Sequence, residues 1–187
     1  MKPRRKHDFA PAHIRRLLEP GPIVLVSSAW QGGQNIMTLG WHTLLEFSPA
    51  LVGCVIARGS LTHDWVRQSG ECVINIPDAA MVDTVVDIGN CSGADVAKFE
   101  HFNLTAHPAA DVNAPLIAEC FANLECRVAD TRMVDDYDFF ILEVVHAHVN
   151  SGRRPRTLHY KGEGQFMLSG RSINRKERFK PKLLIEG

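Results

Sequence analysis

The sequence predicts a mostly β protein, a closed antiparallel barrel with peripheral helices. Two observations predict it. About six extended runs recur along the chain with little helical pattern between them. Two hairpin-like junctions join neighbouring runs. At 187 residues, the chain is long enough for one domain with a sizeable core and short for two. We therefore read 1–187 as a single domain, with 1–19 an N-terminal extension and 171–187 a C-terminal tail.

The chain opens on MKPRRK, a basic cluster that reads as a solvated terminus. PIVLVSSAW, residues 22–30, is rich in β-branched and aliphatic side chains and ends at Gln31-Gly32-Gly33-Gln34. Two glycines there supply the positive φ of a tight hairpin turn, so the next strand pairs back on 22–30. That next strand is NIMTLGWH, 35–42, and its Gly40 is out of place, since glycine weakens a strand and often marks a close approach by another backbone or a ligand. Ser48-Pro49 leads into LVGCVIA (51–57), apolar enough for a strand buried on both faces. ECVINIP (71–77) is a further strand, closed by Pro77. FANLECRVAD (121–130) alternates apolar with polar residues, as a half-buried strand does, and YDFFILEVVHAHV (137–149) is a long strand. Helices are expected at 62–70 and 79–89, with a short turn at 93–102.

Composition excludes several classes of function. Lys plus Arg (21) equals Asp plus Glu (21), so no net field favours nucleic acid. No apolar run reaches the roughly 18 to 20 residues of a bilayer span, and no signal-peptide core follows the charged start, so a cytoplasmic protein is expected. The five cysteines form no C-x-x-C pair, and Cys54, Cys72 and Cys126 fall inside apolar runs as reduced core residues. His146 and His148 share one face of a strand, but no third ligand stands at a supporting spacing, so no metal site is expected.

The most informative segment for chemistry is ARGSLTHDW, 57–65, which joins a strand to a helix start. Helix N-termini expose unpaired N–H groups that favour an anion. Arg58 adds a bidentate fork, and Ser60 and Thr62 add hydroxyls, which makes a phosphate site without a P-loop. Equally, Ser60 or Thr62 serves as a simple N-cap. In CSGADVAKFEHF (91–102), Ser92-Gly93 forms a turn and Lys98-Phe99 sets a cation beside an aromatic ring. Asn75, between Ile74 and Ile76, needs hydrogen-bond partners from backbone or ligand if it is buried. The sequence carries no G-x-G-x-x-G, G-x-S-x-G, H-E-x-x-H or P-loop pattern.

In this order, these segments resemble the flavin reductase-like family of FMN-binding split barrels, most closely its flavoredoxin-like branch. The matching pieces are Asn35 to Trp41, Ser48-Pro49, Arg58-Gly59-Ser60-Leu61-Thr62 and Val73 to Pro77. They continue with Ser92-Gly93, Lys98-Phe99, Leu124-Glu125-Cys126, Phe139 to Val145 and the late segment Leu158 to Gly170. The resemblance implies an antiparallel split β-barrel of the FMN-binding type, forming a homodimer with each FMN near the subunit interface. It implies that Arg58, Ser60 and Thr62 hold the phosphate, with Lys98 on phosphate or ring and Ser92 in the same cofactor-binding set. It further implies that the backbone of Met37, Thr38, Leu39 and Gly40 meets the ring edge, that Asn75 touches ring or ribityl chain, and that Phe99 closes the pocket. Two departures stand out. Ala97 replaces an aspartate of the family pattern, and Asp136-Tyr137-Asp138 stands where many flavin reductases carry Gly-Asp-His.

The expected function is that of an oxidoreductase in which NADH or NADPH delivers hydride to flavin N5, with the protein supplying position and electrostatics. The rival is an FMN electron carrier that serves a protein partner without nicotinamide. A third reading is a split barrel that serves as an interaction module without flavin. Trp41 and His42 alternate in direction along the strand, so only one of them faces a pocket there.

Overall fold

A computed structural model describes residues 6–11, 14, 21–152 and 155–180. Its main sheet is built from β1 (Lys6–Phe9), β2 (Val24–Trp30), β3 (Gly33–Leu39), β4 (His42–Glu46), β5 (Leu51–Val55), β6 (Glu71–Ile76), β9 (Ala122–Asp130) and β10 (Phe139–Asn150), with the short β7 (Ala106–His107) and β8 (Leu116–Ile117) paired apart. A hairpin of β11 (Leu158–Gly162) and β12 (Gln165–Leu168) follows. The strand order is β3-β2-β6-β9-β10-β5-β4, with β1 added on β10. Every pairing is antiparallel. The end strands β3 and β4 share no ladder, although only Gly40 and Trp41 separate them in the chain. The barrel is therefore closed by chain connection and split along one seam.

The expected hairpin is present, and its turn is Gln31-Gly32, at φ 49° and 82°, flanked by the pair Trp30 and Gly33. Period-2 alternation then sorts side chains between two cores. Val24, Val26, Val52, Cys54, Cys72, Ile74, Leu124, Cys126, Phe140 and Leu142 fill one. Leu25, Ile36, Val85, Ile88, Phe99 and Ile117 form the other, where the opposite face of β2 and β3 meets α2 (Val82–Gly89) and α3 (Lys98–His101). The remaining helices are α1 (Leu61–Ser69), capped by Ser60 and closed at Gly70 in the left-handed conformation, and α4 (Val134–Tyr137).

Three local expectations change. The helix expected at 79–89 is a short 3-10 turn, Ala79–Met81, followed by α2. The segment 93–102 is helical only over Lys98–His101. The basic start was read as solvated, yet its last residue, Lys6, lies in β1 and donates from Nζ to the Ile117 carbonyl and to Asn123 Oδ1. Burial lowers the Lys6 pKa to about 8. The remainder of that cluster lies outside the described residues.

Asn75 is fully buried on β6 and finds its partners within the sheet. Its Nδ2 donates to Leu25 O, Ser27 Oγ and Val73 O, and its Oδ1 accepts from the Ile117 amide and Asn123 Nδ2. Truncating it strands a buried amide and several acceptors. Asn75→Ala should lower stability by about 2–4 kcal/mol, read as a fall in the urea midpoint with an unchanged slope.

Candidate functional site

An open cleft of about 430 Å³ lies where β3, the loop into α1, the end of α2 and the start of α3 converge. Asn35, Met37 and Thr38 of β3 form one wall. That strand is an end of the sheet, so its outer edge carries backbone groups that no neighbouring strand pairs. Ala57 to Thr62 form the second wall, and Ile88 to Gly93 with Lys98 the third.

The second wall is the N-terminus of α1. The Ser60 hydroxyl caps it by accepting from the His63 amide at 3.1 Å. Among the described residues, the amides of Leu61 and Thr62 have no acceptor in the chain. They are the orphan donors of a helix start, and the helix dipole adds partial positive charge there. The buried Asn35 Nδ2 donates to Thr62 Oγ1 at 2.9 Å and so ties β3 to this helix end. Asn35 Oδ1 is buried without a partner.

Lys98 brings a cation to the third wall. Its Nζ donates to the Ile88 carbonyl at 2.9 Å, near the C-terminal end of α2, and burial lowers its pKa. Arg58 lines the cleft but is also anchored away from it. Its amide and Nε donate to Asp138, and Nη2 donates to the carbonyls of Val134 and Asp135. Asp138 is held below its usual pKa, first by the Arg58 amide and then by the guanidinium.

Comparison with known proteins bears on this geometry. The model of the flavin reductase like domain matches residues 15–168. The chain belongs to that family. The Escherichia coli K12 protein YddH is 32% identical over 86% of this chain and 93% of its own length. A relative from Archaeoglobus fulgidus is 38% identical, over 60% of this chain and 63% of its own length. Among solved structures, an FMN-binding domain of a flavin reductases-like enzyme from Shewanella baltica OS155 superposes with a TM-score of 0.86 at 30% identity, covering 94% of this chain and 100% of that one. Flavoredoxin of Desulfovibrio vulgaris (Miyazaki F) shares the fold, with a TM-score of 0.76 at 21% identity over 83% of this chain and 90% of its own. The expected antiparallel split barrel is thus the fold of this flavin reductase-like chain.

Of the residues singled out from the sequence, Met37, Thr38, Arg58, Ser60, Thr62, Ser92 and Lys98 come together around the cleft. Leu39, Gly40, Asn75 and Phe99 do not line it. Leu39 points into the barrel core, and Phe99 packs in the outer one. What comes close to Gly40 is the Ile23 side chain, which would lie 2.9 Å from an added Cβ. Trp41 is 75% exposed, and His42 Nε2 sits 2.7 Å from the Pro22 carbonyl, so neither joins the cleft. Two lining features gain their role only in the structure: Asn35, and Gly93, against which the Asn35 carboxamide packs so closely that a Cβ would overlap it. The polarity of Asn35 carries meaning only once its burial is known.

Gly93→Ala should push the Asn35 side chain off Thr62 and cost about 1–3 kcal/mol of stability, measured by chemical denaturation. Ser92→Ala, beside it, should cost far less.

Proposed function

We propose that this flavin reductase-like chain binds FMN in the cleft between α1 and β3 and acts as an NAD(P)H-dependent flavin oxidoreductase. The observation that carries the proposal is the donor set: the free amides of Leu61 and Thr62, the Arg58 guanidinium and the Lys98 ammonium border one cleft. Such a set suits a phosphate monoester. The orphan Asn35 Oδ1 fits the same ligand, since it can accept from a ligand hydroxyl or N–H. The open edge of β3 at Met37 and Thr38 offers main-chain donors and acceptors to a flat heteroaromatic edge.

When bound, the flavin supplies the hydride and electron chemistry. The protein's share is electrostatic and steric. Backbone N–H groups and Lys98 stabilise negative charge that develops on the ligand, and the walls of α2 and β3 restrict its orientation. Among the described residues, no histidine or carboxylate lines the cleft. Oxidoreductase use of nicotinamide draws support from a Bradyrhizobium diazoefficiens relative, 25% identical, described as FMN reductase (NADH) RutF.

A second reading, an FMN electron carrier for a protein partner, is favoured by the corner where many reductases carry Gly-Asp-His. Here Tyr137 is exposed, and Asp138 is committed to Arg58. Mixing the FMN-loaded protein anaerobically with NADH or NADPH separates the two. Bleaching of the visible flavin band by either nucleotide is expected; bleaching by dithionite alone would leave the carrier reading.

The assembly we propose is a homodimer. Trp41, Leu45 and Phe47 expose apolar surface on and beside the sheet-end strand β4, and an exposed tryptophan with apolar side chains near it in the chain is a favoured interface anchor. Trp41→Lys should shift the protein toward monomer in light scattering after size exclusion.

For the phosphate contact, Arg58→Ala and Lys98→Met should each weaken FMN at least about tenfold, on the order of 1.4 kcal/mol, while changing riboflavin affinity little. Equal losses for both flavins would remove the phosphate from this corner.

A further inference from the structure

A second group of side chains lies on β10 and shares no residue with the cleft. Asp138, the partner of Arg58, precedes His146 by eight positions. That places the histidine roughly 26 Å farther along an extended chain. His146 and His148 project from one face of β10, their rings stacked with centroids 4.3 Å apart and planes 9° apart. The strand register explains what surrounds them. On one side β1 sets Asp8 opposite His148, and on the other β9 sets Glu125 opposite His146.

Each imidazole has one nitrogen held from outside. Asp111 Oδ2 lies 2.8 Å from His146 Nδ1, and Glu125 Oε1 lies 2.6 Å from His148 Nε2. Glu125 is fully buried and is itself fixed by the amides of Ala110 and Asp111 at 2.8 and 2.6 Å. The two remaining nitrogens, His146 Nε2 and His148 Nδ1, converge on Asp8 Oδ1 at 3.2 and 3.9 Å. The three ligand atoms lie within 4.8 Å of one another.

We propose that His146, His148 and Asp8 bind a divalent transition-metal ion of the Zn²⁺ type, with Asp111 and Glu125 orienting the two imidazoles. Zinc bonds of about 2.0–2.2 Å in tetrahedral geometry bring ligand atoms to roughly 3.3–3.6 Å from each other. Seating the ion needs a turn of the Asp8 carboxylate, whose side chain is 85% exposed, and a rotation of the two imidazoles out of their stack so that both nitrogen lone pairs aim at it. A carboxylate on the far nitrogen of each ligating histidine is the arrangement that fixes the tautomer and raises basicity at metal centres. Hydrogen bonding satisfies only part of the cluster: an imidazolium at His146 can donate to Asp111 and Asp8 together, but His148 Nδ1, 3.9 Å from Asp8, has no hydrogen bond to it. Three carboxylates against two imidazoles also leave a charge deficit that a dication offsets. Two nitrogens and one oxygen suit Zn²⁺ and its neighbours in the first transition row better than Ca²⁺ or Mg²⁺, and three protein ligands leave a fourth position for water. Bound there, the ion would staple β1 to β10.

The test uses the full chain, without a histidine tag, stripped with chelator and free of flavin. Titration with Zn²⁺ by calorimetry should show one site per chain at micromolar or tighter affinity, and the melting temperature should rise with Zn²⁺ concentration. Co²⁺ should give tetrahedral visible bands without the thiolate charge-transfer absorption that a cysteine site would produce. His148→Ala and Asp8→Asn should each weaken Zn²⁺ at least about tenfold and flatten the melting response. His107→Ala, an exposed histidine bonded to the Pro108 carbonyl, should change neither. If His148→Ala fails to fold, Asp8→Asn decides, because that exposed carboxylate can be neutralised without disturbing a core. Absence of a Zn²⁺ site in the wild-type chain, or full affinity in Asp8→Asn, would overturn the proposal and leave a cluster of ion pairs.

Discussion

Gly40 and Trp41 alone join β3 to β4, the two strands at opposite ends of the sheet path. Three Cα–Cα steps span at most about 11 Å, whereas a flat path of seven strands would separate its ends by roughly 29 Å at the usual strand spacing. The sheet must curl until its ends meet, and most of the architecture depends on that constraint. The curl gives the sheet an inside, where Val24, Val26, Ile74, Leu124 and Phe140 are shielded from water. It also leaves the end strands unladdered to each other, so the outer edge of β3 stays open beside α1. A fully laddered barrel would have no such edge to offer a ligand.

The outer layer solves a different problem. β2, β6 and β9 carry Ser27, Asn75 and Asn123 on the face opposite the barrel core, and burying them requires a partner for each polar atom. Asn75 does this by linking β2, the Ile117 amide and Asn123, while Lys6 reaches in from β1 to Asn123. Polar side chains thereby lock the covering segment around Ile117 and the N-terminal strand onto the barrel. The neighbouring helices α2 and α3 pack mainly by apolar contact, through Val85, Ile88 and Phe99, with the Thr38 hydroxyl donating to the Val85 carbonyl and Lys98 Nζ to the Ile88 carbonyl. Their packing brings the Lys98 ammonium to the cleft.

β10 spans both regions of chemical interest. At its start Asp138 anchors Arg58 beside the α1 N-terminus, and near its end His146 and His148 meet Asp8. The two groups obey the same rule. Strand alternation decides which side chains share a face, and strand pairing decides which residues from distant parts of the chain stand beside them.

Much of this was legible in the sequence because it depends on local periodicity and local turn chemistry. The β2–β3 hairpin, the buried strands at 51–57 and 71–77, a helix cap at Ser60 or Thr62 and the antiparallel class all follow from residues within a few positions of each other. The family resemblance carried by the ordered motifs implied one set for Met37, Thr38, Arg58, Ser60, Thr62, Ser92 and Lys98. The tertiary structure decided what depends on distant pairing and burial. It turned Asn75 and Phe99 toward packing, put Ile23 rather than a ligand against Gly40, drew Lys6 into a strand and supplied Asp8 to a histidine pair 138 and 140 residues away. No local pattern reports such partners, because sheet register is a property of two segments at once.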